Sequence, residues 1–289
     1  MRLVTFTCGG RRSIGKIAGD RIVDLPATDP ALPSTMRELL AAGPAALDRA
    51  RAIEPSRAVT VALAEAKLDA PVPDPSKFLA IGMNYRKHAE EARALGVPVP
   101  DAQVWFNKQV SCVSGPYDPV HMPRVSDKLD YEAELGVVIG RRCRHVSAAQ
   151  APSVVAGYLV VNDVSVRDWQ ARTPTMTLGK SFDTHGPIGP WIVTADEVPD
   201  PHALQMRMLV NGELRQAANT GEMIHDIWQQ IACLSTVMTL EPGDLIATGT
   251  PSGVGVAMKP PSWRRVGDVM RAEIDGIGHI ENVVVAEPA

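Results

Sequence analysis

The chain begins with apolar and β-branched runs, Leu3 to Phe6, Ile14 to Ala18 and Arg21 to Val23, separated by Gly9-Gly10 and Gly19-Asp20. Turn dipeptides between such runs predict short hairpin strands. Residues 35–53 switch to helical periodicity, interrupted at Gly43-Pro44. The segment DAPVPDPS, residues 69–76, carries three prolines and reads as a linker. It separates a small β-rich N-terminal domain, residues 1–70, from a main domain over residues 77–289. There, residues 135–140 and 157–163 are apolar runs of strand length, and Asn211-Gly212 within residues 205–216 is a strong hairpin signal. A helix is expected over residues 222–239, with Thr220 as N-cap, Glu222 in the first turn and a stripe of Ile224, Ile227, Trp228, Ile231 and Leu234. Glu241-Pro242-Gly243-Asp244 stops it. The fold class is α+β, mainly β.

Composition narrows the function classes. At 289 residues, 45% hydrophobic and 21% charged, the chain can bury a globular core. A net charge of −4 offers no basic footprint for nucleic acid and no polybasic membrane patch. No run approaches the apolar length that spans a bilayer. The N-terminus lacks the order of a signal peptide, so a soluble protein is expected. Cys8, Cys112, Cys143 and Cys233 lie far apart without a CxxC pair. That arrangement fits reduced thiols in the cytoplasm rather than a zinc ribbon.

Several segments can carry chemistry. In LDYEAELGVVIG, residues 129–140, Glu132 and Glu134 are two apart and share one face of a strand. Paired carboxylates repel, so the face needs a cation, a proton or water; a hard divalent ion is one solution, and a solvated strand face is another. Asp130 has the same parity and is either a further ligand or a support. Asp163 ends the run GYLVVND, where a strand fixes a carboxylate at an accessible end, or where a turn merely closes the strand. Arg167, Asp168 and Gln170 follow it. Lys180 sits among small residues in GKSFDTHGPIGPW; it is either a surface charge or a cation placed to neutralise a developing enolate. The loop TGTPSGVG, residues 248–255, offers backbone N–H groups for a carboxylate but lacks the ending of an ATP-binding loop. His88 and Glu91, three apart on an expected helix, can form a general base or an idle surface pair.

In order, GMNYRKHAEEA, DYEAELGVVIG, NDVSVRDWQ, GKSFDTHGPIGPW and LEPGDLIATGTPSGVG resemble the motifs of the fumarylacetoacetate hydrolase family, over roughly residues 77–285. The likeness is to its acylpyruvase and 2-hydroxyhepta-2,4-diene-1,7-dioate isomerase branch. It implies a mixed β-sandwich roll, a homodimer, and Mg²⁺ or Mn²⁺ on Glu132, Glu134 and Asp163. It further implies Lys180 at the oxo-acid end of the substrate, His88 and Glu91 as a dyad on a segment that orders over it, and Thr250, Gln170 and Arg167 as substrate contacts. Many relatives have Lys-Pro where this chain has Lys108-Gln109. The expected substrate is a small 2-oxo acid. The expected reaction is hydrolysis of the C–C bond of an acylpyruvate. Decarboxylation of an oxaloacetate-like acid or isomerisation of a 2-oxo-heptenedioate is the alternative, and a non-catalytic binding protein of the same fold is a third.

Overall fold

Strands Ala133–Ile139 and Val155–Asn162 run antiparallel at the heart of the molecule, with Ala133 opposite Asn162 and Val137 opposite Tyr158. Both are buried on both faces, which is why they read as unbroken apolar runs rather than alternating ones. Leu135, Val137 and Val160 point to one core, while Val138, Leu159 and Val161 point to a second. The structure, a computed structural model, describes residues 1–94 and 96–288. Among these residues the strands form a 12-stranded sheet, a 5-stranded sheet and a 2-stranded ribbon. The 5-stranded sheet packs on the face bearing Val137 and contributes Met206, Met208, Met270 and Ile280 to that core. The opposite face is covered by Leu3, Ile14, Leu39 and Leu40 from the N-terminal stretch.

The expected mainly β, α+β class is therefore observed, and so are most of the expected elements. Strands occupy Arg2–Cys8, Arg11–Ala18 and Arg21–Asp24. Helices Met36–Ala41 and Pro44–Ala52 flank Gly43, whose φ of 77° suits glycine. Asn211 and Gly212 join Gln205–Val210 to Glu213–Asn219 with φ values of 52° and 80°, as a tight hairpin turn requires. The N-terminal residues extend the large sheet, since Leu3 pairs with Ile192. The division of the chain near residues 70–77 stays a proposal.

One helix begins later than the sequence pattern suggests. Asn219 and Glu222 close a single 3₁₀ turn over Thr220–Glu222, and Asp226 with Gln229 caps the helix Ile227–Val237. Two capping boxes in succession leave Ile224 between them, 38% exposed, while Ile227, Ile231 and Leu234 enter the core.

Candidate active site

The central strand pair assembles the acidic cluster. Glu134 lies opposite Val161, and one step further Asp163 N–H donates to Glu132 O at 2.9 Å. Glu132, Glu134 and Asp163 share the parity of Val138 and Val161, so the three carboxylates emerge on one face, directly opposite or diagonal to each other. All three are buried, with ligand oxygens within 4.8 Å of one another. The side chain of Asn162 fastens the residue before the strand Ala133–Ile139 by accepting from Glu132 N–H at 3.0 Å.

Two buried lysines face this cluster. Lys180, at the end of the turn Thr177–Lys180, donates to Glu132 Oε2 at 2.6 Å and to Asp163 Oδ2 at 2.7 Å. Lys108, at the end of strand Val104–Lys108, donates to Asp163 Oδ1 at 2.6 Å and to the carbonyl of Lys180. Arg167 donates through Nε to Asp130 Oδ2 at 2.8 Å, and its Nη1 is 2.7 Å from Glu132 Oε1. Its buried Nη2 has no partner. Asp130 is thus a support rather than part of the acidic cluster.

Burial alone would raise the Glu132 carboxyl, but Lys180, then Arg167 and His88, hold it at about 2. Glu134 goes the other way: burial, then the charges of Asp163 and Glu132, push it well above the usual carboxylate range. Burial works against the Lys180 ammonium, yet Asp163 and Glu132 raise it on balance. Three buried carboxylates, their mutual repulsion pushing Glu134 up, form the oxygen donor set that a hard divalent cation takes, and the residues fit that group.

The loop over residues 248–255 supplies the expected carboxylate-binding N–H groups, but to carboxylates of the protein itself. Gly249 N–H donates to Glu134 Oε2 at 2.7 Å, Gly253 N–H to Glu91 Oε1 at 3.1 Å, and Gly255 N–H to Asp130 Oδ1 at 2.8 Å. Gly249 has φ 100°, and a Cβ there would stand 2.7 Å from Asn84 Cβ. Thr250 donates its hydroxyl to Ala133 O at 3.0 Å.

Helix Arg86–Ala94 lies over this floor. His88 Nδ1 is 2.9 Å from Glu91 Oε2. A cavity of about 320 Å³ is lined by His88, Glu91, Glu132, Glu134, Arg167, Gln170, Lys180 and Thr250, with apolar residues around them. Asp163 sits wholly buried behind. Gln170 accepts from Arg167 Nη1 at 2.9 Å. Two buried residues beside the cluster carry no signal in the sequence: Lys108, and His185, which donates through Nε2–H to His121 O at 2.8 Å and has an unpartnered Nδ1. Nothing in residue type or spacing marks either one, because a lysine or histidine on a strand or loop is usually solvated.

Residues 77–285 match the family described as fumarylacetoacetate (FAA) hydrolase, C-terminal. The mitochondrial oxaloacetate tautomerase of Xenopus laevis is 45% identical over 291 residues, covering 99% of this chain and 90% of that protein. The maleylpyruvate hydrolase of Sphingobium sp. SYK-6, solved with manganese(II) and pyruvate, superimposes with TM-score 0.83 at 37% identity over 100% of both chains. The 5-carboxymethyl-2-hydroxymuconate delta-isomerase of Mycobacterium smegmatis gives TM-score 0.79 at 33% identity, over 99% of this chain and 100% of that one.

Proposed function

The chain belongs to the fumarylacetoacetate hydrolase family, and from that footing we propose that it is a metal-dependent hydrolase of the C–C bond in acylpyruvates, RCO–CH₂–CO–COO⁻. The observation that carries this reading is the His88–Glu91 pair lining the same cavity as the acidic cluster and Lys180. Enolate formation needs only the cluster and its lysine; a paired imidazole beside them adds the means to activate water.

Mg²⁺ or Mn²⁺, held by Glu132, Glu134 and Asp163, would supply Lewis-acid stabilisation of the oxo-acid head. The protein's own groups do the rest. His88 takes a proton from water as its oxygen bonds to the acyl carbon, and Glu91 fixes the ring through Nδ1 and stabilises the imidazolium. The C3–C4 bond then breaks, and its electron pair passes into the enolate of pyruvate. Two donors of Lys180 are engaged by Glu132 and Asp163, so the third remains for that enolate oxygen. Arg167 Nη2, without a protein partner, suits the acyl oxygen. Protonation of C3 releases pyruvate and RCOO⁻. The free thiols fit a cytoplasmic protein, and a homodimer is part of the same proposal.

A second reading is keto–enol tautomerisation of an oxaloacetate-like acid, favoured by the 45% identity to the Xenopus laevis tautomerase. There His88 would only move a proton between C3 and the enol oxygen. The test is acetylpyruvate and oxaloacetate with Mg²⁺ or Mn²⁺, following pyruvate release and decay of enol absorbance. Pyruvate from acetylpyruvate is the expected result. Enol decay of oxaloacetate with acetylpyruvate left intact would replace hydrolysis by tautomerisation.

A further inference from the structure

Positive charge in the cavity is gathered around Glu132. Among the described lining residues the basic groups are Lys180, Arg167 and His88. Lys180 is bonded to Glu132 and Asp163, Arg167 lies against Glu132 and Asp130, and His88 is paired with Glu91. The rest of the lining is mostly apolar, with Ile81, Val97, Met176, Val254, Val256 and Ala257, and its polar side chains, Gln170, Thr173 and Thr250, are uncharged. The backbone N–H groups of Gly249, Gly253, Gly255 and Val256 are already taken by Glu134, Glu91 and Asp130.

From this arrangement we propose that the site selects acylpyruvates whose acyl chain ends in an uncharged, aliphatic group, and discriminates against those ending in a second carboxylate. The inference rests on the hydrolase reading for the chemistry, but the selection itself resides in the wall. A 2-oxo acid head occupies the charged part. The first carbons beyond it still fall within reach of Arg167 and His88, so a carboxylate at C4, as in oxaloacetate, is compatible with the site. A carboxylate two carbons further out meets the apolar wall and loses its hydration with no cation to replace it. An alkyl end gains from the same burial.

The experiment compares two acids of equal length, 2-oxohexanoate and 2-oxoadipate, titrated calorimetrically into the full chain loaded with Mg²⁺. The expected result is 2-oxohexanoate binding at least about tenfold more tightly, since an unpaired buried carboxylate is strongly disfavoured. Val256→Lys, at a half-buried position, should narrow or reverse the preference by supplying the missing cation, and Ala257→Lys offers a second half-buried site for it. Equal or tighter binding of 2-oxoadipate to the unmodified chain overturns the proposal. The hydrolase reading is judged separately, by pyruvate release from 2,4-dioxoheptanoate. Preferential binding of 2-oxohexanoate without that release supports the wall and sinks hydrolysis.

Discussion

Lys108 Nζ donates to Asp163 Oδ1 at 2.6 Å, with both side chains wholly buried. The pair ties the strand Val104–Lys108 to the end of Val155–Asn162, and the ammonium also bonds to the carbonyl of Lys180. Lys108 therefore holds one carboxylate of the cluster from behind. Lys108→Met should destabilise the metal-free chain by about 1–3 kcal/mol, the cost of removing one hydrogen-bonded partner of a buried charge, because Lys180 still holds Asp163. Urea unfolding with a chelator reads this loss. Saturating Mg²⁺ should recover part of it, because a cation at Asp163 substitutes for the missing ammonium. An unchanged midpoint would mean that the pair contributes nothing.

The acidic cluster makes its own prediction. Glu134→Gln and Asp163→Asn should each weaken Mn²⁺ binding by roughly 100-fold or more, and Asp163→Asn should also cost stability, since its charge faces Lys108 and Lys180. Calorimetric titration decides it, and wild-type affinity in both variants would remove the cluster as a metal site.

The strands that build the cluster were readable because their pattern is local. Glu132 and Glu134 could be placed on one strand face from period-two spacing and Asp163 at the end of an apolar run, and Asn211-Gly212 marked its hairpin unaided. What spacing could not show was the antiparallel register that sets Glu132 beside Asp163, since it joins residues far apart in the chain. Lys108 and His185 were illegible for a related reason: their burial follows from tertiary packing, against the ordinary preference of their side chains. The helix start at Asp226 was missed because Thr220 and Glu222 lie at a genuine cap, but one that closes a separate turn.

The dyad is tested by truncation. His88→Ala and Glu91→Ala should each lower acylpyruvate hydrolysis by roughly 10²–10⁴-fold, with metal affinity nearly unchanged. The double variant should be little worse than either, because the two act as a unit. Glu91 also accepts from Gly253 N–H, so Glu91→Gln separates loss of that tether from loss of the carboxylate charge. Hydrolysis near the wild-type rate in either alanine variant would return the pair to an ordinary helix surface.

His185 gives a pH dependence of stability. Burial depresses its imidazole from 6.5 to about 3. Below its unfolded value the unfolded chain takes up a proton that the folded chain refuses. The stability is complete above pH 6.5 and is lost progressively as the pH falls toward 3, by about 1.4 kcal/mol per unit. Between pH 7 and pH 5 the wild type should lose about 2 kcal/mol more than His185→Gln, measured by urea unfolding. Equal losses in both proteins would show that the ring is protonated in the folded state.

All the reactions considered for this site pass through the enolate of a 2-oxo acid, stabilised beside Glu132, Asp163 and Lys180. The most direct measurement is proton NMR of pyruvate in D₂O with the full chain and Mg²⁺, following loss of the methyl signal as deuterium enters C3. Exchange well above the protein-free rate is expected, abolished by a chelator and by Asp163→Asn. Pyruvate that binds to the Mg²⁺-loaded wild type and keeps its methyl protons would contradict it.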